Sequence, residues 1–178
     1  MTPRGVVLKK TDIGEDNQLI TFYTRDFGKL TGVVKSVKKS SSKQASHLEL
    51  FNLVDFRLIA GKTQSIIASA QSLETFTYLK DSLDRLAAGY FILEAFNRLI
   101  YEHEKDAMLW NFIQEALIGL NRAELIEGEL AEYIAKTKEN FLNVLGYTQY
   151  WDKKEVNYFL ESLSQRKFSS LDFINSVS

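Results

Sequence analysis

The hydrophobic pattern of this 178-residue chain changes period once. Up to about residue 79, apolar and β-branched residues come in short runs separated by turn residues, as strands do. From Asp81 they recur every three or four residues, as helices do. Val6-Val7-Leu8, Leu19–Thr24 and Leu30–Val37 read as three strands of a meander. Gly14 among Asp12, Glu15, Asp16 and Asn17 makes the first turn, and Asp26-Phe27-Gly28-Lys29 makes the second. In Phe51–Ile59, Asn52, Val54, Phe56 and Leu58 form a largely apolar face. Phe51, Leu53, Asp55, Arg57 and Ile59 form a mixed one, so this strand is half solvated. Ala60-Gly61-Lys62-Thr63 is a hairpin turn, and Ser65–Ala70 with Leu73–Leu79 supplies the return strand. Between the third and fourth strands, Val37–Ser46 is rich in serine and lysine with no apolar period, which predicts a mobile surface loop.

The helical half opens with Leu83, Leu86, Ala87, Tyr90, Phe91, Leu93, Phe96, Leu99 and Ile100 on one stripe, with Asp81 or Ser82 as its cap. A second helix is predicted over about Asp106–Leu120, with Leu109, Trp110, Ile113, Leu117 and Leu120 apolar. A third covers about Ala123–Leu145, lined by Leu130, Ile134, Phe141, Leu142 and Leu145 and stopped by Gly146. Shorter helices are predicted at Lys154–Ser164 and Ser169–Ser176. The expected fold class is α+β in two units: a five-stranded OB-type β-barrel over residues 1–79, then an all-α helical domain over 80–178.

Composition (45% hydrophobic, 25% charged, one Pro) is that of a soluble globular chain. No apolar run approaches a membrane span, the start lacks a signal-peptide pattern, and there is no cysteine for disulfides or thiolate metal sites. These features point to the cytoplasm. The net charge of −1 hides an asymmetry. Residues 1–80 carry 12 Lys/Arg against 7 Asp/Glu, a net of +5, and residues 81–178 carry a net of −6. A basic first half suits a polyanion; the plainer reading is that the charge only keeps the chain soluble.

Several motif fragments fail on context. Gly61-Lys62-Thr63 resembles the end of a phosphate loop, but that loop needs a glycine where Phe56 stands and must join a strand to a helix. Asp26-Phe27-Gly28 has no catalytic-loop partner and is a turn. Glu102-His103-Glu104 with Asp106 reads as a polar, solvated gap between helices rather than a metal cluster. No nucleophile and base are paired, and no cofactor or enzymatic activity is expected.

The stronger signal is a barrel with cations. OB barrels bind single strands with a groove of cations that follows the phosphates and aromatics that stack on bases. The candidate phosphate contacts are Lys35, Lys38, Lys39, Lys43, Arg25 and Lys29, with Lys9, Lys10 and Arg57 outside them. Phe22, Tyr23 and Phe27 are the candidate stacking residues. Strand alternation sends Phe22 and Tyr23 to opposite faces, so at most one of these two is free to stack.

Residues 6–58 resemble the N-terminal domain of the RecO family of bacterial repair and recombination mediators. The ordered set Leu8-Lys9, Gly14-Glu15, Thr24-Arg25, Gly28-Lys29-Leu30 and Lys35–Lys39 carries the likeness, followed by Ser42-Lys43 and Leu48 before Phe51. Leu83–Ala87, Tyr90 with Glu94, and Leu145-Gly146-Tyr147 resemble the family's helical region more loosely. The resemblance implies binding of single- and double-stranded DNA, annealing of complementary strands, and help in loading RecA. It implies RecR and the acidic C-terminal tail of single-stranded DNA-binding protein as partners, and a cytoplasmic, nucleoid-associated site of action. Two departures stand out. Tyr147–Phe168 lacks the family's four-cysteine zinc module, which is expected to be deleted here. Position 36 is Ser36 where the family usually has Gly, so a positive φ is not expected there.

Overall fold

A computed structural model describes residues 2–122, 127–148, 153–171 and 174. The chain divides into two compact units: Met1–Thr75 with Ile100–Ala107, and Phe76–Leu99 with Met108–Ser178. In the first, β1 (Arg4–Ile13), β2 (Asn17–Thr24), β3 (Gly28–Val34), β4 (Leu53–Ile59) and β5 (Ile66–Glu74) close a barrel in the order β1-β2-β3-β5-β4. Every pairing is antiparallel except the short parallel contact of β3 with β5, at Val33 and Ile66. This is the OB-type barrel that the alternation predicted. β1 serves two neighbours: it pairs with β2 along its length and with β4 through Arg4–Val6. A bulge between Val7 and Lys9 gives it the bend this needs.

The inward positions fill the barrel. Val7, Ile20, Phe22, Leu30, Val34, Val54, Phe56 and Ile67 are all buried, and Phe22 stacks on Phe56 with ring centroids 4.2 Å apart. The connection at residues 35–52 is not the mobile loop that its composition predicts. Val37, Leu48 and Phe51 are buried, so the connection plugs one end of the barrel. Its side chains also stitch it to β5: Gln44 Nε2 donates to the Ala68 carbonyl at 3.4 Å and the Ser72 amide donates to His47 Nδ1 at 3.3 Å. The tip, Lys38–Lys43, is largely exposed, as are Lys35, Ser36, Ser46 and Glu49. Ser36 does take a positive φ, 53°, against expectation, because its amide is held by Asn17 Oδ1 at 2.9 Å and the chain must turn there. The return strand also ends earlier than its apolar run. Phe76 adopts φ 49°, which breaks the extended backbone and starts α1 (Thr77–Asp81).

In the second unit α2 (Leu83–Leu99), α3 (Ala107–Leu120), α4 (Glu127–Val144) and α5 (Lys153–Ser164) follow the predicted order. The proposed start of the third helix at 123–126 lies outside the described residues, as do 172, 173, 175 and 176 of the last predicted helix, whose first residues, Ser169–Leu171, are helical. The α3 stripe is buried as read, whereas Leu83 and Tyr90 of the α2 stripe are exposed. Phe96, Phe112 and Phe141 pack ring against ring at the centre. α4 ends as Gly146 predicts: the Gly146 amide donates to the Asn143 carbonyl and the Tyr147 amide to the Leu142 carbonyl. Among the described residues no helix is long and apolar enough to cross a membrane.

Candidate nucleic-acid interface

Strand register decides which predicted contacts share a wall. On the outside of β1, β2 and β3, Lys9 pairs across to Thr21 and Thr21 to Thr31. One row along, Thr11 pairs to Leu19 and Leu19 to Val33. Thr21 is buried and Thr31, Leu19 and Val33 are half-buried, giving a shallow surface of short, mostly β-branched side chains. Alternation places Lys35 outward, just past Val33 and beside Asn17. Lys38, Lys39 and Lys43 follow on the exposed tip of the plug. Lys9, Lys35 and the tip therefore belong to one wall and its rim.

The remaining predicted contacts do not join them. Arg25 and Phe27 sit in the turn at the opposite end of the β2–β3 hairpin. Seven paired residues, a rise of roughly 20 Å, separate that turn from Lys35. Arg57 is exposed on β4, on the far side of β1 from β2. Lys10 is tied to Glu49 at 2.7 Å. Phe22 and Tyr23 are both fully buried, which removes both from the stacking candidates; Phe27, about half exposed, is the one aromatic of the three that solvent reaches. Phe22 went to the core as alternation allows. Tyr23 points the other way and is covered by the chain itself.

That cover is the segment Ile100–Ala107, which composition presents as a solvated gap between helices. Its side chains from Tyr101 to Asp106 are exposed, but its backbone lies on the barrel. The His103 amide donates to the Lys29 carbonyl at 2.8 Å, Glu102 bridges to Lys29 in parallel sense, and the Tyr23 hydroxyl donates to the Asp106 carbonyl at 3.2 Å. Gly28 permits this approach: a Cβ there would stand 2.3 Å from the Glu104 carbonyl oxygen. Burial pushes the Tyr23 hydroxyl up to about 12, against the hydrogen bond to Asp106. Burial also lowers the Lys29 ammonium, with Glu102 and Glu104 acting in the opposite direction. Lys29 is thus a covered lysine and not a surface contact. No periodicity marks this strap; in the sequence it is a polar run of ordinary interhelical length, with nothing to show that its backbone lies on the barrel.

The electrostatics of the surviving wall are mixed. Lys38 Nζ lies 2.7 Å from Asp12 Oδ2 and Lys39 Nζ 3.4 Å from Asp16 Oδ2. The Lys38 hydrogen bond, then that of Gln18, holds the Asp12 carboxyl below the usual carboxylate range. Lys9, Lys35, Lys43, Arg25 and Arg57 form no ion pair among the described residues. A pair that sequence reading missed, Arg4 with Asp55, closes β1 on β4 with two hydrogen bonds of 2.9 and 3.2 Å. Among the described residues no group of three metal-ligating side chains comes together. The arrangement is a shallow, mostly β-branched surface bordered by lysines, two of which are paired with carboxylates of the same chain.

Comparison with known proteins bears on the same barrel. Residues 1–76 match the family model described as Recombination protein O N terminal. The DNA repair protein RecO of Rubrobacter xylanophilus is 31% identical over 121 residues, covering 68% of this chain and 48% of that protein. That of Roseiflexus sp. is 28% identical over 143 residues, covering 80% and 49%. That of Caldanaerobacter subterraneus subsp. tengcongensis is 24% identical over 165 residues, covering 89% and 66%. The chain spans about half the length of the first two. These alignments are too long to stop at the barrel, and with the barrel itself matched, the chain belongs to the RecO family.

Proposed function

We propose that this chain is a non-enzymatic DNA-binding mediator of recombination and repair, working in the cytoplasm on exposed single strands. The observation that carries the reading is the β1–β3 wall, where Lys9, Lys35, Lys38, Lys39 and Lys43 border a row of Thr, Leu and Val on the outer face of a barrel of the RecO type. Cations of this kind contact phosphates, and phosphate contacts carry little base information, so binding is sequence-tolerant. Annealing of complementary strands and help in loading RecA together with RecR are the activities this reading assigns. The acidic tail of single-stranded DNA-binding protein would dock on the helical unit. A cavity of about 340 Å³ lined in part by Phe112, Glu115, Ile118, Arg122, Tyr133 and Lys136 offers apolar walls with two cations and one carboxylate.

The test is fluorescence anisotropy with a labelled single-stranded oligonucleotide at several salt concentrations. It compares wild type with a Lys35/Lys38/Lys39/Lys43→Ala variant. About five phosphate contacts give a slope of log affinity against log salt near −3.5, at ~0.7 per phosphate. A flat salt dependence rules this mode out. A second reading, an adaptor whose barrel does not bind DNA, draws on the three cations neutralised within the chain and on the burial of Phe22 and Tyr23. Capture of RecR or of the acidic tail by a protein that shows no DNA binding would favour it.

A further inference from the structure

Asp12 and Asp16 flank the turn between β1 and β2 and point their carboxylates at the ammonium groups of Lys38 and Lys39. Two further bonds keep the strands of this contact in place without those ammonium groups. The Lys38 amide donates to the Asp16 carbonyl at 3.1 Å, and the Ser36 amide donates to Asn17 Oδ1 at 2.9 Å. Gln18 Nε2 donates to the other oxygen of Asp12 at 2.9 Å, which fixes the carboxylate's direction. Both pairs are solvent-accessible, with 38% and 57% of the side chain exposed for Lys38 and Asp12 and 53% and 44% for Lys39 and Asp16.

Resting on the DNA reading above, we propose that Asp12 and Asp16 are an intramolecular stand-in for phosphate: they hold Lys38 and Lys39 ready beside the β1–β3 wall and are displaced when a nucleic-acid backbone arrives. Exposed ion pairs are weak enough to exchange, and each carboxylate carries the single charge that a phosphodiester carries. Because the backbone bonds to Asp16 and Asn17 do not involve the ammonium groups, the lysines stay at the wall during the exchange. A strand bearing adjacent phosphates displaces both carboxylates at once, whereas an isolated anion competes for one, so the pairs favour extended polyanions over single ions.

The experiment is anisotropy with the same labelled single-stranded oligonucleotide at one moderate salt concentration. Asp12→Asn/Asp16→Asn should bind about three- to tenfold tighter than wild type. Glu15→Gln removes a charge from the same turn but breaks no ion pair among the described residues, and should change affinity less than about twofold. In a Lys38→Ala/Lys39→Ala background the gain from the two Asp→Asn changes should vanish. A gain that persists without the lysines, or one no larger per charge than that of Glu15→Gln, overturns the proposal and leaves DNA binding standing. Absence of binding by wild type and every variant overturns the DNA reading, and the proposal with it.

Discussion

Gly28→Ala probes the strap that decides which part of the barrel is open. Gly28 has φ +66°, and a Cβ there would lie 2.3 and 2.4 Å from the Glu104 carbonyl oxygen and carbon and 2.8 Å from the Lys105 nitrogen. All three are backbone atoms, so no side-chain rotation relieves the clash. The left-handed conformation alone costs about 1–2 kcal/mol for a residue with a Cβ. Moving the strap far enough to clear the methyl breaks the His103–Lys29 backbone bond, worth about 0.5–1.5 kcal/mol net, and strains the Tyr23–Asp106 bond. The total loss is expected at about 2–4 kcal/mol. Gly14→Ala is the matched control: its φ is +62° but nothing lies within 4 Å of the added carbon, so it should show the conformational cost without the clash. Urea denaturation read by circular dichroism gives both numbers, and hydrogen exchange at the His103 amide reports whether the strap has lifted. Equal losses for the two variants, with His103 still protected, would refute the placement of the strap on β3.

Three further outcomes follow from burial and hydrogen bonding. Phe96→Ala empties the meeting point of three rings and should cost about 3–5 kcal/mol in denaturant unfolding; a loss under about 1 kcal/mol would mean that this residue is not in the core. Burial lowers the Lys138 ammonium to about 8 in the folded chain, so between about pH 8 and 10.5 the unfolded chain binds the extra proton. The lysine's penalty on folding is therefore relieved as pH rises. Lys138→Met should then be more stabilising at pH 7 than at pH 10, by up to ~3 kcal/mol, and an unchanged difference across that window would contradict the buried charge. Glu94→Ala removes the acceptor of the Ser169 and Ser170 amides and the partner of Arg98, and should raise hydrogen exchange at those two amides at least severalfold.

Local chemistry carried the barrel into the sequence. Alternation in Leu19–Thr24 and Phe51–Ile59, with glycine and asparagine at the turns, is sufficient to set five strands, and Leu109 to Leu120 shows a helix in the same way. What alternation cannot carry is a contact made from far along the chain. Tyr23 looks free because its own strand turns it outward, but the residues that cover it lie some 80 positions later; the hydroxyl partner is Asp106. The plug at 35–52 hides its anchors, since Val37 is an isolated apolar residue in a polar stretch and no period links it to Leu48. Ser36 takes a positive φ because Asn17 holds its amide, a tertiary demand that residue type alone does not report. The site is legible to the same degree: residue type marks the cations, and only the ion pair of Lys10, the burial of Lys29 under the strap and the strand order that puts Arg57 on β4 separate these three from Lys9, Lys35 and Lys43.

The placement of the strand on the β1–β3 wall is tested most directly by two charge-matched variants in one anisotropy series. Lys35/Lys43→Ala removes two cations from the wall's rim, and Arg25/Arg57→Ala removes two from elsewhere on the same barrel. With DNA on the wall, the first variant should lower the magnitude of the salt slope by about 1.4, at ~0.7 per phosphate, and the second should leave the slope within error of wild type. Equal losses from both variants, or a larger loss from Arg25/Arg57→Ala, would contradict that placement.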